Sequence, residues 1–394
     1  MQAINDAPRF HVSKTLEKFL RSTPTPLFLY DEKSLVQAAQ ALFAAFAHDS
    51  KFLPRFPVRM NPNPAVLRIF RENGCGALCR SLPELELAAR CGFRGRQIAY
   101  EPAILNAKAE EAAHAIGAVF VLDSAGMLPQ KLPESAVLLL RQQGPLRCGG
   151  RAVTGVPASC AGMDREPLMR LAESLCAHGV RRIGLGMRLG ELCMDEAFYP
   201  AIFAQLAALA QTLYERTGIL ADALDLGGGF GISYRPGFAG PSLPACAAAI
   251  SRHRQTLSEP LRGIALQMSP GRALAAPGGI LAARVLTVKP GLPPAAILDV
   301  QSAQCLRLAR SGAYHPVEAI GSASRQSRLQ ILACAAQDGL AMRQVLPELR
   351  PGDLVLIGML GADGRSLSAC YGGAEPCPEY LIRTDGSIED VTAY

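Results

Sequence analysis

Gly227-Gly228-Gly229 follows Leu224-Asp225-Leu226 directly, and a glycine run after a strand lets backbone N–H groups close on a phosphate with no Cβ in the way. The dinucleotide fingerprint G-x-G-x-x-G is not completed, because Ile232 stands where its last glycine belongs. The plainer alternative is a tight strand-to-helix turn. Cys334 offers a thiol, yet no histidine adjoins it and the six histidines fit no Cys/His signature. Packing as a small buried residue is the competing reading for it. The 12 cysteines are scattered among apolar residues (Cys91, Cys148, Cys176, Cys246, Cys305), without a C-x-x-C pair. That spacing argues against a disulfide framework and against a zinc site, so no metal is expected.

Any such chemistry must be positioned by the surrounding elements. Short apolar runs at 56–61, 77–81, 97–101, 119–123, 137–141, 182–187, 224–229 and 266–270 read as strands. Amphipathic segments at 64–72, 82–90, 106–116, 165–177 and 197–217 read as helices between them. About eight β/α units of this size are what a (β/α)8 barrel requires, with its chemistry at the C-terminal ends of the strands. After Arg272 the pattern changes to strand-like runs at 280–288, 296–300, 329–333, 353–357 and 379–383, separated by Gly/Pro turns. This predicts a second, β-rich domain. The early strand 27–30 is expected to join it, so that a barrel at 33–275 is inserted between 1–32 and 276–394.

Composition narrows the class. With 49% hydrophobic and 19% charged residues the chain is an ordinary globular protein. Its net charge of +6 is dispersed, with no Lys/Arg run interleaved with aromatics, which argues against nucleic acid as a partner. Residues 1–10 are polar and no apolar stretch is long enough to cross a bilayer. The expectation is a soluble, cytoplasmic protein without a membrane partner.

Several short motifs now line up in one order along nearly the whole chain. They are Thr25-Pro26-Leu27-Phe28-Leu29-Tyr30-Asp31, Asn61-Pro62-Asn63-Pro64, Ser81 with Glu84-Leu85-Glu86-Leu87, Asp225 to Gly231, Pro270-Gly271-Arg272, and Leu346-Pro347-Glu348-Leu349 with Gly352-Asp353. Each is weak alone. Together they resemble the fold-type III decarboxylases, the ornithine/diaminopimelate/arginine decarboxylase group with an alanine-racemase-like barrel. The resemblance implies an α/β protein with a pyridoxal-phosphate (PLP) barrel, a C-terminal β-rich domain, and two subunits that build each active site head to tail.

Measured against that group, the working positions depart. The lysine that holds PLP as an imine sits in V-K-x-N, which here reads Val58-Arg59-Met60-Asn61. A guanidinium stays protonated and cannot serve as the imine-forming amine. An acidic position of the family aligns with Leu78. The family's H-x-G-S, whose histidine stacks on the cofactor, reads Arg188-Leu189-Gly190-Glu191; E-P-G-R, whose glutamate protonates the pyridine nitrogen, reads Ser269-Pro270-Gly271-Arg272; and G-A-Y reads Gly361-Ala362-Asp363. Gly228, Gly229, Gly271 and Arg272 match the cradle of the PLP phosphate, and Arg141 matches an active-site arginine. The C-E-S-G-D segment that one subunit lends to the other reads Cys334-Ala335-Ala336-Gln337-Asp338, so the acid that reads the substrate is lost.

The resemblance therefore implies Arg59, Arg188, Glu191, Asp363 and Cys334 as the positions where catalytic groups would stand. Arg141, Ser269, Asp338 and Tyr371 are the candidate ligand contacts. Arg59, Arg141, Arg188 and Arg272 are expected to converge at the barrel mouth with Glu191 and Asp363, either as an anion site or as a self-satisfied ionic network. A carboxylate at Glu191 would repel a phosphate dianion unless an arginine intervenes, so no cofactor is expected and PLP is the weaker alternative. The functional expectation is a pseudoenzyme or repurposed member, a homodimer or a heterodimer that tunes an active paralogue. The alternative is a PLP-independent enzyme on a small carboxylated, amino-acid-like ligand; a working PLP decarboxylase stands behind both.

Overall fold

Eight short parallel strands close into a barrel in chain order: Leu53–Pro57, Gly76–Cys79, Ile98–Tyr100, Val119–Leu122, Val137–Gln142, Ile183–Met187, Ala223–Asp225 and Ala265–Met268, the last pairing with the first. This computed structural model describes residues 12–392 except 105, 130–131, 133–135, 144–146, 149–150, 153–161, 188–189, 191, 236, 312–313, 322–323, 335–340 and 370–372, and except the side chains at 147–148, 151–152 and 310–311. The strands are mostly apolar because both of their faces are covered, with buried Arg55 of the first donating to Gln267 of the eighth. Leu78, Ala99, Val119, Val121, Val137 and Leu139 form a separate apolar cluster contributed by barrel strands two to five. Gly184 on the sixth strand makes room for it, since a Cβ there would lie 2.9 Å from Leu139 Cδ1.

The helices between strands start where capping residues stand. Asn63 accepts from the Ala65 N–H ahead of Pro64–Glu72, and Ser81 accepts from the Glu84 N–H ahead of Leu82–Arg90. The Asn-Pro-Asn-Pro motif is thus partly structural: Asn63 caps a helix, and the Asn61 amide donates to the Gly361 carbonyl of the β-rich part at 2.9 Å.

The first strand lies earlier than its expected 56–61. It ends at Pro57, which has no N–H for the ladder, and Val58–Met60 forms a 3-10 turn that carries Arg59. The seventh and eighth strands likewise stop at Asp225 and Met268, leaving the glycine run and Ser269-Pro270 in loops.

The second body is a nine-stranded sheet. Along its main path run Ala341–Pro347, Ser327–Cys334, Ala295–Leu298, Gly279–Lys289, Leu27–Asp31, Glu379–Ile382 and Ile388–Asp390; Leu354–Ile357 pairs with Gly279–Lys289 and with Val317–Ile320. Leu27–Asp31 is antiparallel to Gly279–Lys289 and parallel to Glu379–Ile382, so the chain enters the sheet, builds the barrel and returns to the same sheet. The architecture is the expected barrel with a β-rich domain. Among the described residues, no helix is long and apolar enough to cross a membrane. Cys91, Cys176, Cys246 and Cys305 are buried free thiols.

Candidate active site

Arg141, next to last on the fifth barrel strand, points its guanidinium at two acids that follow neighbouring strands. Its Nη2 donates to Glu101 Oε2 at 2.9 Å and its Nη1 to Asp123 Oδ1 at 3.2 Å. Arg80, just beyond the second strand, lies 3.6 Å from the other Glu101 oxygen. Burial by itself would lower the Arg141 pKa, but the Glu101 carboxylate, with Asp123 and Asp225, raises it overall and holds the guanidinium charged. Among the described residues, Arg80 and Arg141 thus pair with Glu101 and Asp123.

Glu101 was not singled out in the sequence, although it ends an expected strand. Its role follows from register: Leu78 pairs with Ala99, and the Glu101 N–H donates to the Cys79 carbonyl at 2.8 Å. The acid that answers Arg141 thus comes from the strand adjacent to that of Leu78. Leu78 itself packs in the apolar cluster of the barrel.

A second ionic group spans the barrel and the β-rich domain. Arg272, at the second position of the short helix Gly271–Ala275, donates from Nη2 to Asp363 Oδ2 at 3.1 Å. Arg307, in the helix Leu306–Ser311, places Nη1 3.6 Å from the same oxygen and donates from Nη2 to the Tyr234 hydroxyl at 2.9 Å. All three charged side chains are buried, at 11%, 8% and 7% exposure for Arg272, Arg307 and Asp363. Two guanidiniums here share one carboxylate among the described residues. Asp363 takes the left-handed conformation at φ 58°, and its N–H donates to the Met60 carbonyl at 2.8 Å, beside Arg59.

His315 adjoins this group through Tyr234. Its ring meets Tyr234 edge-on at 5.0 Å, and its Nδ1 lies 2.9 Å from the Gly358 carbonyl. Only a protonated Nδ1 can donate there, which leaves Nε2 as the bare nitrogen of a neutral ring. Burial pushes the imidazole pKa down to about 4. Burial also raises the Tyr234 phenol, against the opposing pull of Arg307 and Arg272. Arg307, Tyr234 and His315 carried no motif in the sequence; only the tertiary contacts assemble them.

The glycine run forms a tight loop between these two groups of charges in sequence. The Asp225 carboxylate accepts from the Gly227 N–H at 2.8 Å, and the Ser269 N–H donates to the Gly227 carbonyl at 2.8 Å. A Cβ at Gly228 would sit 2.7 Å from the Ser269 carbonyl oxygen, and one at Gly271 only 2.1 Å from Met60 Sδ. Both positions therefore demand glycine for close approach. Tyr199 donates to the Gly228 carbonyl at 2.9 Å and the Cys193 N–H to that of Gly229 at 2.8 Å. Among the described residues, the N–H groups of Gly228 and Gly229 donate to no protein acceptor.

Arg59 is exposed on its turn and has no carboxylate within ion-pair distance among the described residues. Its charge acts on Glu84, whose carboxyl is raised by burial against the opposing effects of the Arg80 N–H, Arg59 and the Arg80 side chain. Among the described residues Arg141 pairs with Glu101 and Asp123, Arg272 pairs with Asp363, and Arg59 forms no ion pair. Cys334, buried at the end of its strand, lies 3.8 Å from Cys305 Sγ. The Cys305 thiol is pushed far up by its hydrogen bond to Cys334 and by burial, the opposite of an activated thiolate. Arg188, Glu191, Asp338 and Tyr371 lie outside the described residues.

Residues 32–276 match the family model described as "Pyridoxal-dependent decarboxylase, pyridoxal binding domain". The chain belongs to the pyridoxal-dependent decarboxylase family. Protein TabA of Pseudomonas amygdali pv. tabaci is 28% identical over 383 residues, covering 95% of this chain and 90% of that protein. The diaminopimelate decarboxylase of Methanothermobacter thermautotrophicus is 29% identical over 385 residues, with 93% and 88% covered. Among solved structures, diaminopimelate decarboxylase from Helicobacter pylori complexed with L-lysine superposes with a TM-score of 0.83 at 22% identity, covering 95% of each chain. The M. jannaschii enzyme gives 0.86 at 20% identity, with 95% and 91% covered. At these identities the two structures establish the shared fold.

This decarboxylase-family chain fits PLP only in part. In its favour, the Gly228 and Gly229 N–H groups of the glycine loop donate to no protein acceptor among the described residues, as a bound phosphate would require. The amine for an imine is not supplied by the described residues: Lys51 precedes the first strand and donates to the Gly263 carbonyl at 3.0 Å, Lys108 sits within the helix Ala107–Ile116, and Lys289 ends a strand of the β-rich domain. Lys14, Lys18 and Lys33 lie on or at helices ahead of the barrel, and Lys131 is outside the described residues.

Proposed function

We propose that this member of the pyridoxal-dependent decarboxylase family does not decarboxylate amino acids through a PLP imine. It acts as a pseudoenzyme whose retained scaffold pairs with an intact, lysine-bearing relative and tunes it. The observation that carries this reading is Arg59, an exposed guanidinium on the turn after the first barrel strand, where the family resemblance places the lysine. The ionic groups at Arg141 and Arg272 support it, because each already has its counter-charge within the protein.

The deciding experiment mixes purified protein with PLP, records the visible spectrum and reduces with borohydride. No imine band and no lysine adduct are expected; a trapped lysine adduct at the barrel mouth would restore an active decarboxylase and overturn the proposal. Co-purification with a lysine-bearing paralogue supports the regulatory role, and a self-dimer alone removes the heterodimer. A second reading has one specific observation in its favour. Arg59, exposed and without an ion pair among the described residues, suits the carboxylate of an amino-acid-like substrate in a PLP-independent reaction. Turnover of such a substrate without PLP, lost in Arg59→Ala, would select that reading. Localisation in the cytoplasm accompanies either.

A further inference from the structure

Three consecutive carbonyls of the glycine loop each have a donor. Gly227 accepts from the Ser269 N–H at 2.8 Å, Gly228 from the Tyr199 hydroxyl at 2.9 Å and Gly229 from the Cys193 N–H at 2.8 Å. In a planar trans peptide the N–H points opposite to the C=O. The N–H groups of Gly228, Gly229 and Phe230 therefore face away from these anchors, and among the described residues none of the three donates to a protein acceptor. The backbone alternates in hand here. Its φ is 71° at Gly227 and 87° at Gly229, while Gly228 between them is not in the positive-φ region, an alternation from which anion-binding backbone nests are built. We infer that Tyr199 is the positioning residue of an anion site formed by these three N–H groups, whose ligand class is phosphate or a phosphate monoester. The inference goes beyond the proposed function, since backbone N–H groups need neither a lysine nor an aldehyde on the ligand.

Two of the three anchors are backbone groups, set by the loops after barrel strands six and eight. Tyr199 is a side chain, held on the first turn of the helix Phe198–Thr217 and 1% exposed. Its ring meets Phe198 edge-on at 5.7 Å and packs on Phe230 at 5.2 Å, so the residue that supplies the third N–H also supports the phenol. Burial holds the phenol well above its ordinary pKa, with Cys193 and Cys246 adding to the shift, so it stays protonated and donates. Tyr199 acts on the ligand only through the middle peptide, 228–229. Without the hydroxyl that peptide loses the bond that fixes its plane, and two glycines leave it free to turn its N–H away from the other two. The Asp225 carboxylate, which accepts from the Gly227 N–H, has Arg141 and Arg55 as charge neighbours.

Tyr199→Phe removes one oxygen and keeps the ring. Calorimetric titration with inorganic phosphate, against chloride of equal ionic strength, reads the affinity, and hydrogen exchange with and without phosphate places the ion. Phosphate is expected to protect the amides of 228–230 in the wild type. The variant is expected to bind phosphate at least about fivefold more weakly, with a melting temperature that rises less with phosphate. A tyrosine that serves the fold alone would lower the melting temperature equally in phosphate and chloride and leave the affinity unchanged. That result overturns the inference, as does a wild type that binds no phosphate or gains protection only elsewhere, an adventitious ion only. If Tyr199→Phe does not fold, Tyr199→Leu carries the same comparison, and the wild-type exchange result stands without either variant. Inorganic phosphate holds no aldehyde, so failure here leaves the imine question where the borohydride trap puts it, and a trapped lysine leaves this result standing.

Discussion

The two ionic groups at the barrel mouth are built from the same residue types and solve different problems. Around Arg141, every partner follows a barrel strand, and two guanidiniums meet two carboxylates. Around Asp363, partners come from the barrel, from the helix Leu306–Ser311 and from a loop of the β-rich domain, and two guanidiniums meet one carboxylate. The first group is internal framework, tying together the ends of barrel strands two to five. The second spans a seam between domains, with Arg272, Arg307 and Asp363 all buried.

The largest expected effect separates the two groups directly. Arg141→Met removes the close buried partner of Glu101 and Asp123 and should cost about 3–5 kcal/mol in urea unfolding, the range for breaking a buried pair from one side. Arg307→Met leaves Arg272 and Asp363 as a matched pair and should cost only about 1 kcal/mol. Equal losses from the two substitutions would erase the contrast.

Next comes the pH response of the seam. His315, facing Tyr234, Arg307 and the Gly358 carbonyl, is held neutral with its pKa lowered from 6.5 to about 4. As pH falls, the unfolded chain takes up this proton first. The stabilisation is therefore full above about pH 6.5 and is lost between there and about pH 4, a span worth roughly 3 kcal/mol. Unfolding free energies at pH 7 and 4.5 should converge in His315→Gln by that amount relative to wild type; parallel slopes would remove His315 from the account.

Smallest is Arg59, exposed and outside both groups. Arg59→Ala should shift the unfolding midpoint by less than about 0.5 kcal/mol. A loss comparable to that at Arg141 would mean that Arg59 belongs to the framework after all.

Much of the scaffold was legible in the chain because strands covered on both faces read as apolar runs and their helices as amphipathic ones. The helix bounds at Pro64–Glu72 and Leu82–Arg90 agree with the expected 64–72 and 82–90, since cap residues punctuate the sequence there. Val317–Ile320, Ala341–Pro347 and Ile388–Asp390 were not expected as strands. In Ala341–Pro347 the burial alternates, but one inward residue is Gln344, whose amide donates to the His315 carbonyl at 3.0 Å. Gln330, buried on the adjacent strand, donates to the Leu346 carbonyl at 3.0 Å. Polar residues satisfied in this way conceal a core-facing strand from any hydrophobicity pattern.

By itself, the sequence determined that residue 59 carries a guanidinium and no amine, that glycine stands at 228 and 271, and that barrel units precede a β-rich region. Those are matters of residue chemistry and local periodicity, which need no partner to be true. Which acid answers which arginine was decided only in three dimensions. Glu101 reaches Arg141 through strand register, and Asp363 reaches Arg272 across 91 positions of chain. An ion pair depends on the distance between two groups, and sequence separation says nothing about that until the barrel has closed against the sheet.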